Sequence, residues 1–410
     1  MSRHGMRQRP TVLHVFPTFV VGGAQRRFAQ ITNATNQLFD HHVMAIDGRS
    51  EARVLLTGQT VFETPVSDES NLAHRLLRYC MWLNKKRPDL LITHNWGAIE
   101  WALAGQIARV PHIHIEDGFG PDEAHRQLAR RVCLRRIVLR NADYIIVPSQ
   151  TLVGIARRIW KLPADRVIFV PNGIEIRDTC ERQYDSNGLR AELGFDNDSL
   201  IIGWVGALRP EKNLDRLLSA FSCVSDRAVL VLVGDGPERA SVESEAAALG
   251  ISDRVRLLGA RPDAAQLMSA FDMLALSSDT EQMPMVVLEA MKAGLPIASV
   301  DVGDVRNMVA AENGALICEQ TQSGLAEAFS ALIADAAARK RIGAANRRRV
   351  EEAFPLDRMI CRYVELYDDA MSRRRAASKG SPLRIASHAS VRTAGIHPRR
   401  DVEFHGDGNA

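Results

Sequence analysis

Short runs of β-branched and other apolar residues alternate with stretches of helical period through most of the chain. Strands buried on both faces read as continuous apolar runs, so this alternation is the signature of a parallel sheet wound with crossover helices. The runs predict strands at Val12–Phe16, His42–Ile46, Val61–Pro65, Asp89–His94, His112–Glu116, Tyr144–Pro148 and Val167–Val170. A second series is predicted at Leu200–Val205, Ala228–Val233, Val255–Leu258, Met273–Leu276, Pro296–Val300 and Ala315–Ile317. The fold class is therefore α/β, with two Rossmann-like doubly wound domains sharing a cleft. Between them, Asn172–Ser199 carries Asn172-Gly173, Asn187-Gly188 and Asp196-Asn197-Asp198 but little apolar periodicity, as a connection does. After Phe354-Pro355 an amphipathic helix is expected to about Arg373, with Met359, Cys361, Val364, Leu366 and Tyr367 on its apolar side. The division is a first domain over 11–172, a linker over 173–199, a second domain over 200–353, a helix over 354–373 and a basic tail over 374–410. That tail holds too few apolar residues to offset the entropy of ordering it, so disorder is expected.

Length and composition agree with this picture. At 410 residues, with 46% hydrophobic and 25% charged residues, the chain can bury a core in each half. The net charge is +3, but Arg3, Arg7 and Arg9 and the basic tail carry that sign. The folded part is net negative, which excludes a general nucleic-acid binder. Six cysteines lie far apart without a C-x-x-C pair, which reads as free thiols in a reducing, cytoplasmic setting. The apolar run Thr11–Val21 imitates a secretory signal, yet His14 and Pro17 interrupt it and Gly22-Gly23-Ala24 opens a helical pattern. No run of 18 apolar residues is long enough to span a bilayer.

Ligands of open parallel sheets bind outside the carboxyl ends of the strands, so candidate chemistry is sought in the turns that follow them. After Leu200–Val205 comes Gly206-Ala207-Leu208-Arg209-Pro210-Glu211-Lys212-Asn213, then a helix expected near Leu214. Arg209 and Lys212 beside helix-end amides suit a diphosphate, with Gly206 allowing close approach; the alternative is a pair of solvated surface cations. After Met273–Leu276, Glu281 lies on the loop and Glu289 inside the helix Met285–Ala293, which Pro284 opens and Gly294 closes. Each carboxylate can accept two hydroxyl hydrogen bonds, as a ribose or hexose diol offers them. Spacing alone leaves Glu289 equally readable as a helix residue facing solvent or a strand. Gly234-Asp235-Gly236 begins a dinucleotide fingerprint but has Arg239 in place of its third glycine, a weak match. Gly22-Gly23 at the end of the first strand offers amides toward the cleft, or is a plain strand-to-helix turn.

Taken in order, these turns resemble the retaining nucleotide-sugar glycosyltransferases of family four, which have the GT-B fold. The resemblance covers roughly residues 11–372. Its most specific piece is Glu281-Gln282-Met283-Pro284-Met285-Val286-Val287-Leu288-Glu289-Ala290-Met291-Lys292-Ala293-Gly294-Leu295-Pro296, similar to the family's E-x7-E segment. Gly206–Lys212 is similar to its diphosphate-binding G-x-x-R-x-x-K, and Ala142-Asp143 through Asn172-Gly173 to the end of its N-terminal domain. The resemblance implies that Glu281 holds donor-sugar hydroxyls, Glu289 the ribose, and Arg209 with Lys212 the leaving diphosphate. Gly22, Gly23 and Gly206 would approach the phosphates, and Gly236 would border the nucleotide. It further implies a hexose moved with retention, without a metal or other cofactor, from a nucleotide diphosphate to a glycan or lipid-linked acceptor in bacterial polysaccharide assembly. The helix after Phe354 would cross back to the N-terminal domain.

Two positions depart from the family pattern. Gln282 stands where glycine is usual, and Asp117, not histidine, stands at the end of the fifth strand unless His114 takes that place. Asp117 is a candidate to polarise a substrate hydroxyl, or a helix cap. In Arg126–Arg140 six arginines interleave with apolar residues, which suits an anionic membrane surface or a packed helix whose arginines snorkel. Asp196-Asn197-Asp198 has a metal-binding D-x-D form but sits in the linker, where a turn is expected. A non-catalytic sugar-nucleotide-binding subunit shares every donor contact, whereas an NAD-dependent oxidoreductase needs a glycine fingerprint that is incomplete here.

Overall fold

The computed structural model describes residues 9–66, 71–123, 126–176, 186–192, 194 and 199–378. The Asp196-Asn197-Asp198 turn, most of the linker and the tail from 379 onward lie outside these residues. Apolar runs form β1 (Thr11–Phe16), β2 (Asp40–Ala45), β3 (Val61–Phe62), β4 (Leu90–His94), β5 (His112–Ile115), β6 (Tyr144–Val147) and β7 (Val167–Phe169). The second series forms β8 (Leu200–Val205), β9 (Ala228–Val233), β10 (Val255–Leu257), β11 (Met273–Leu276), β12 (Ile297–Val300) and β13 (Ile317–Cys318). Two parallel sheets result, ordered β3-β2-β1-β4-β5-β6-β7 and β10-β9-β8-β11-β12-β13. The last strand starts later than its sequence suggests because Ala311–Leu316 winds as a 3₁₀ helix. Asn313 explains this: its side chain donates to Ile297 O and accepts from Ile297 N, both at 2.8 Å, filling the ladder position a longer strand would take.

Strand order reverses between β1 and β4 in one sheet and between β8 and β11 in the other, and crevices open at such switch points. The turns carrying Gly22-Gly23, Gly206–Lys212 and Ser277–Glu281 all leave strands that border these reversals. Gly236 leaves β9, and Asp117 lies just beyond β5, each one strand farther out. The register between the central strands aligns these ends, with Val12 opposite Leu90 and Met273 opposite Ile202.

The helix Leu356–Ser378 returns to the N-terminal domain. Met359, Tyr363 and Tyr367 pack with Val12, Ile92 and Ile113 of the first sheet. Tyr144 donates to Asp369, and Arg373 pairs with Asp369 at 2.6 Å while lying 5.0 Å over the Tyr144 ring. At the crossing, Ile174 N donates to Phe354 O at 2.9 Å and Leu356 N to Ile174 O at 3.0 Å, so the chain's two passages between domains run side by side. A Cβ at Gly173 would lie 2.8 Å from Leu356 Cα, which leaves room only for glycine.

Behind the second crevice, the helix Met285–Lys292 that carries Glu289 is backed by the helix Ala336–Ala353. Their closest approach is at Gly343, where a Cβ would come within 1.8 Å of Gly294 O. A backbone oxygen cannot rotate away. Gly343→Ala is therefore expected to lower stability to chemical denaturation by about 2 kcal/mol, although alanine is the better helix former. A rise in the denaturation midpoint would show that the helices can separate at no expense.

Candidate active site

Three loops of the second domain are stitched into one surface. Asn213, at φ 47°, caps the helix Leu214–Ser222 by accepting from Arg216 N at 3.1 Å, and its amide donates to Asp279 at 2.9 Å. Arg216 pairs with Asp279 at 2.8 Å and donates to Ser277 O at 2.7 Å, while Ser277 Oγ donates to Lys212 O at 2.8 Å. The turn after β8 is thereby fixed to the turn after β11. Lys212 and Glu281 form an ion pair, and Ser278 donates to the same carboxylate oxygen at 3.0 Å. Arg209 remains half exposed, with its nearest carboxylate, Glu211, at 3.9 Å. A cation held at short range and a second one free to move face the crevice together.

The glycines of these turns act mainly by what they lack. Gly206 N donates to Val233 O at 3.0 Å, so that amide is committed to the sheet. Gly234, at φ 147°, would bring a Cβ within 1.7 Å of Gly206 O, and Gly236 within 2.3 Å of Leu208 O. Both let the loop after β9 lie flat on the loop after β8, so packing alone accounts for glycine at 236. The sequence places an anion at the amides of the Leu214 helix, where Asn213 takes one of them, that of Arg216. Helix ends without a side-chain cap lie elsewhere at the crevice: Met285–Lys292 begins at Pro284 and Gly23–Thr35 begins at Gly22, with no acidic residue in either first turn. Such ends carry unpaired amides and partial positive charge.

These two helices belong to different domains yet face each other. Arg26, exposed on the first, acts electrostatically on Glu289 of the second, whose carboxyl burial pushes above its ordinary range while Arg26 pulls it down. Gly22 and Gly23 open the helix that carries Arg26, and a Cβ at Gly23 would meet nothing within 4 Å.

Asp117 lies at the carboxyl end of β5, as its sequence position suggests, but it is already engaged. Its backbone amide donates to Asn95 Oδ1 at 2.7 Å, and its carboxylate pairs with Arg27, a residue only 3% exposed. Arg27 also donates to Asn172 Oδ1 at 3.2 Å, and Asn172 Nδ2 donates to Met283 O at 2.8 Å. A buried relay thus runs from Asp117 through the first helix and the hinge into the segment that follows Glu281. His114 is fully buried within β5, bonded to Thr93 at 2.8 Å, and is no substitute for Asp117 at the cleft.

Sequence reasoning missed Arg27, Asn172 and Ser149. A charged residue one step from Arg26 in a polar-looking turn carries no sign that it is buried. Ser149 Oγ donates to Gln282 Oε1 at 2.9 Å across the domain boundary. Of the six arginines in Arg126–Arg140, Arg135 is turned inward: it grips Glu123 at 2.9 and 3.1 Å within about 5 Å of the rings of Trp96, Phe119 and Trp160. Arg131 also pairs with Glu123, whereas Arg130, Arg136 and Arg140 stay outside beside exposed Leu134 and Ile137.

Residues 22–173 match the model of the glycosyl transferase 4-like domain, and residues 185–349 match that of the glycosyl transferases group 1. The chain belongs to the group 1 glycosyltransferases. This glycosyltransferase is 27% identical over 300 residues, 70% of its length and 76% of the relative's, to N-acetyl-alpha-D-glucosaminyl L-malate synthase of Bacillus anthracis. It is 26% identical to D-inositol 3-phosphate glycosyltransferase of Corynebacterium glutamicum (strain R), over 69% of this chain and 73% of that one. Among solved structures, Anabaena HepE in complex with UDP-glucose superposes with a TM-score of 0.76 at 21% identity, over 88% of this chain and 99% of that chain. Sucrose-phosphate synthase from Thermosynechococcus elongatus gives 0.72 at 20% identity, over 89% and 100%. Both superpositions show the GT-B fold.

Two outcomes follow for the enzyme. Removing one partner of a buried ion pair strands the other, so Asp117→Ala is expected to cost about 3 kcal/mol of stability. The double variant Arg27→Met/Asp117→Leu should recover most of that in denaturant titrations; no recovery would mean that the pair is not the source. Glu289 binds its proton more tightly when folded than when unfolded, so its contribution is present below the ordinary carboxyl value of 4.5 and is lost as pH rises through the folded value. Glu289→Gln should raise stability at pH 7, with an advantage that fades as pH falls below that ordinary value; a pH-independent effect would refute the burial account.

Proposed function

We propose that this glycosyltransferase moves a hexose from a nucleotide-diphosphate sugar to a glycan or lipid-linked acceptor, with retention of anomeric configuration. The observation that carries this reading is the Lys212–Glu281 pair beside half-exposed Arg209, set between uncapped helix ends of opposite domains. A diphosphate entering the crevice would draw Lys212 away from Glu281. That frees one carboxylate to accept sugar hydroxyls at the moment the cation meets the phosphates. Glu289, whose carboxyl burial pushes up while Arg26 pulls it down, suits a ribose diol.

In the transfer, the bond from the anomeric carbon to the phosphate oxygen breaks and its electron pair goes to the diphosphate. Arg209 and Lys212, once drawn onto the diphosphate, meet the growing charge, so two side-chain cations take the part a metal plays elsewhere. The acceptor hydroxyl bonds to the anomeric carbon on the departing face, and its proton passes to the phosphate oxygen. Because Asp117 is bound to Arg27, its part is to shape the acceptor side rather than to take that proton. UDP-glucose in the HepE crystals makes it the first donor to try. The exposed stripe of Arg130, Leu134, Ile137 and Arg140 suits an anionic membrane surface, which would bring a lipid-linked acceptor to the cleft. We place the enzyme at the inner face of a bacterial membrane, in polysaccharide assembly.

The test is calorimetry of UDP-glucose and a panel of other nucleotide sugars, without added metal, joined to mass spectrometry of slow donor hydrolysis. Lys212→Ala and Glu281→Ala should each weaken donor binding by roughly 10-fold or more, as the loss of a charge-assisted hydrogen bond does. If no nucleotide sugar binds while a nicotinamide cofactor does, the transferase donor site is misassigned.

A further inference from the structure

Gln282 stands beside Glu281 and is 7% exposed, yet its side chain does not enter the donor crevice. It reaches into the other domain. Its Oε1 accepts from Ser149 Oγ at 2.9 Å, and its Cγ lies 3.1 Å from the place a Cβ would occupy on Gly118, the residue after Asp117. Gly118 has φ 147°, a conformation reserved for glycine, so the acceptor-side loop is shaped to receive this side chain.

A second contact lies one turn away. Asp304 is 3% exposed, and its carboxylate accepts from the amides of Gln150 and Thr151, at 2.5 and 3.0 Å, and from Thr151 Oγ1 at 2.8 Å. A carboxylate of one domain thus sits on the first turn of the helix Gln150–Arg158 of the other, where the helix field favours it. The two contacts are one unit, because Asp304 N donates to Gln282 O at 2.8 Å. Gly303, at φ 56°, makes this possible: a Cβ there would come within 2.6 Å of the carbonyls of Glu281 and Gln282.

We infer that Gln282 is a positioning residue. By accepting from Ser149 and lying on Gly118, it fixes the loop carrying Glu281 against the loop carrying Asp117, and Asp304 on the Gln150 helix forms the other half of the same clasp. Glycine at 282 would leave Ser149 Oγ without its partner and Gly118 uncovered. Every group in the clasp belongs to the chain itself, so the alignment of the two halves of the site needs no contact from the donor. Its effect on transfer rests on the function proposed above; the clasp itself does not.

The experiment compares the full chain, free of ligand, as wild type, Gln282→Met and Gln282→Glu, by amide exchange and small-angle X-ray scattering. Methionine keeps the length and removes the acceptor, whereas glutamate keeps an oxygen for Ser149 to donate to. Ser149 is left alone because its Oγ also accepts from Leu152 N, and its loss would weaken the helix itself. In Gln282→Met, exchange at Gln150 and Thr151 should rise about fivefold, the effect of losing one hydrogen bond of ordinary strength, and the radius of gyration should increase. Gln282→Glu should behave as wild type in both. Exchange and scattering of Gln282→Met that overlay the wild type overturn the clasp, as does equal loosening in both variants. UDP-glucose titration of the same proteins separates the two ideas. Unchanged affinity with a lower kcat in Gln282→Met alone marks a positioning role, and equal kcat in all three overturns it. Absence of binding in all three counts against the donor assignment and leaves the exchange result to decide the clasp.

Discussion

A guanidinium that has lost its water needs partners on every side, and Arg27 finds them in three separate parts of the chain. Desolvating such a charge costs several kcal/mol unless counter-charge and hydrogen bonds surround it. Asp117 supplies the charge, Asn172 a carbonyl oxygen, and Tyr363 of the last helix lies with its ring 6.0 Å away. The first helix, the end of β5, the hinge and the returning helix must all be in place together. The end of β5 is therefore set by a buried charge rather than by loop shape alone. Asn172 extends the constraint to Met283, and so to the loop that carries Glu281.

At the turns after β8 and β11 the logic is electrostatic and steric rather than a matter of core packing. The carboxylate of Asp279 serves Asn213 and Arg216, and that of Glu281 serves Lys212, so Arg209 is the least committed cation of these loops. Glycines at 234 and 236 allow two loops to lie in backbone contact, so the cations stand on a stiff base. A stiff base matters for catalysis because stabilisation of a leaving group depends on dipoles that need not move when charge appears.

Much of this was legible in the residues. Continuous apolar runs located both sheets because a strand covered on two faces has no polar side to show. The E-x7-E spacing and the cations at 209 and 212 marked two loops that the Lys212–Glu281 pair joins, because glycine, proline and charge cluster where strands end. What stayed hidden were contacts between residues far apart in sequence. Arg27 showed no sign of burial, and Arg135 read as one of a row of membrane-facing or snorkelling arginines, since one chain position does not reveal that Asp117 or Glu123 waits opposite it. Gln282 could be seen as a departure from the family pattern, but only the neighbouring domain, through Ser149 and Gly118, gives it a partner. Asn213 shows the converse: at a helix start that looked wholly available to an anion, one amide is taken by the helix's own cap.

The return of the last helix also bears on how the protein is made. Met359, Tyr363 and Tyr367 complete a core whose members outside that helix, from Val12 to Val170, leave the ribosome a whole domain earlier. Through most of synthesis one face of the first sheet has no cover, while the second domain already has its own core from Ile201 to Phe354. Domains ordinarily mature in the order they are synthesised. Here that order is inverted, and the half that begins the chain is the last to be finished.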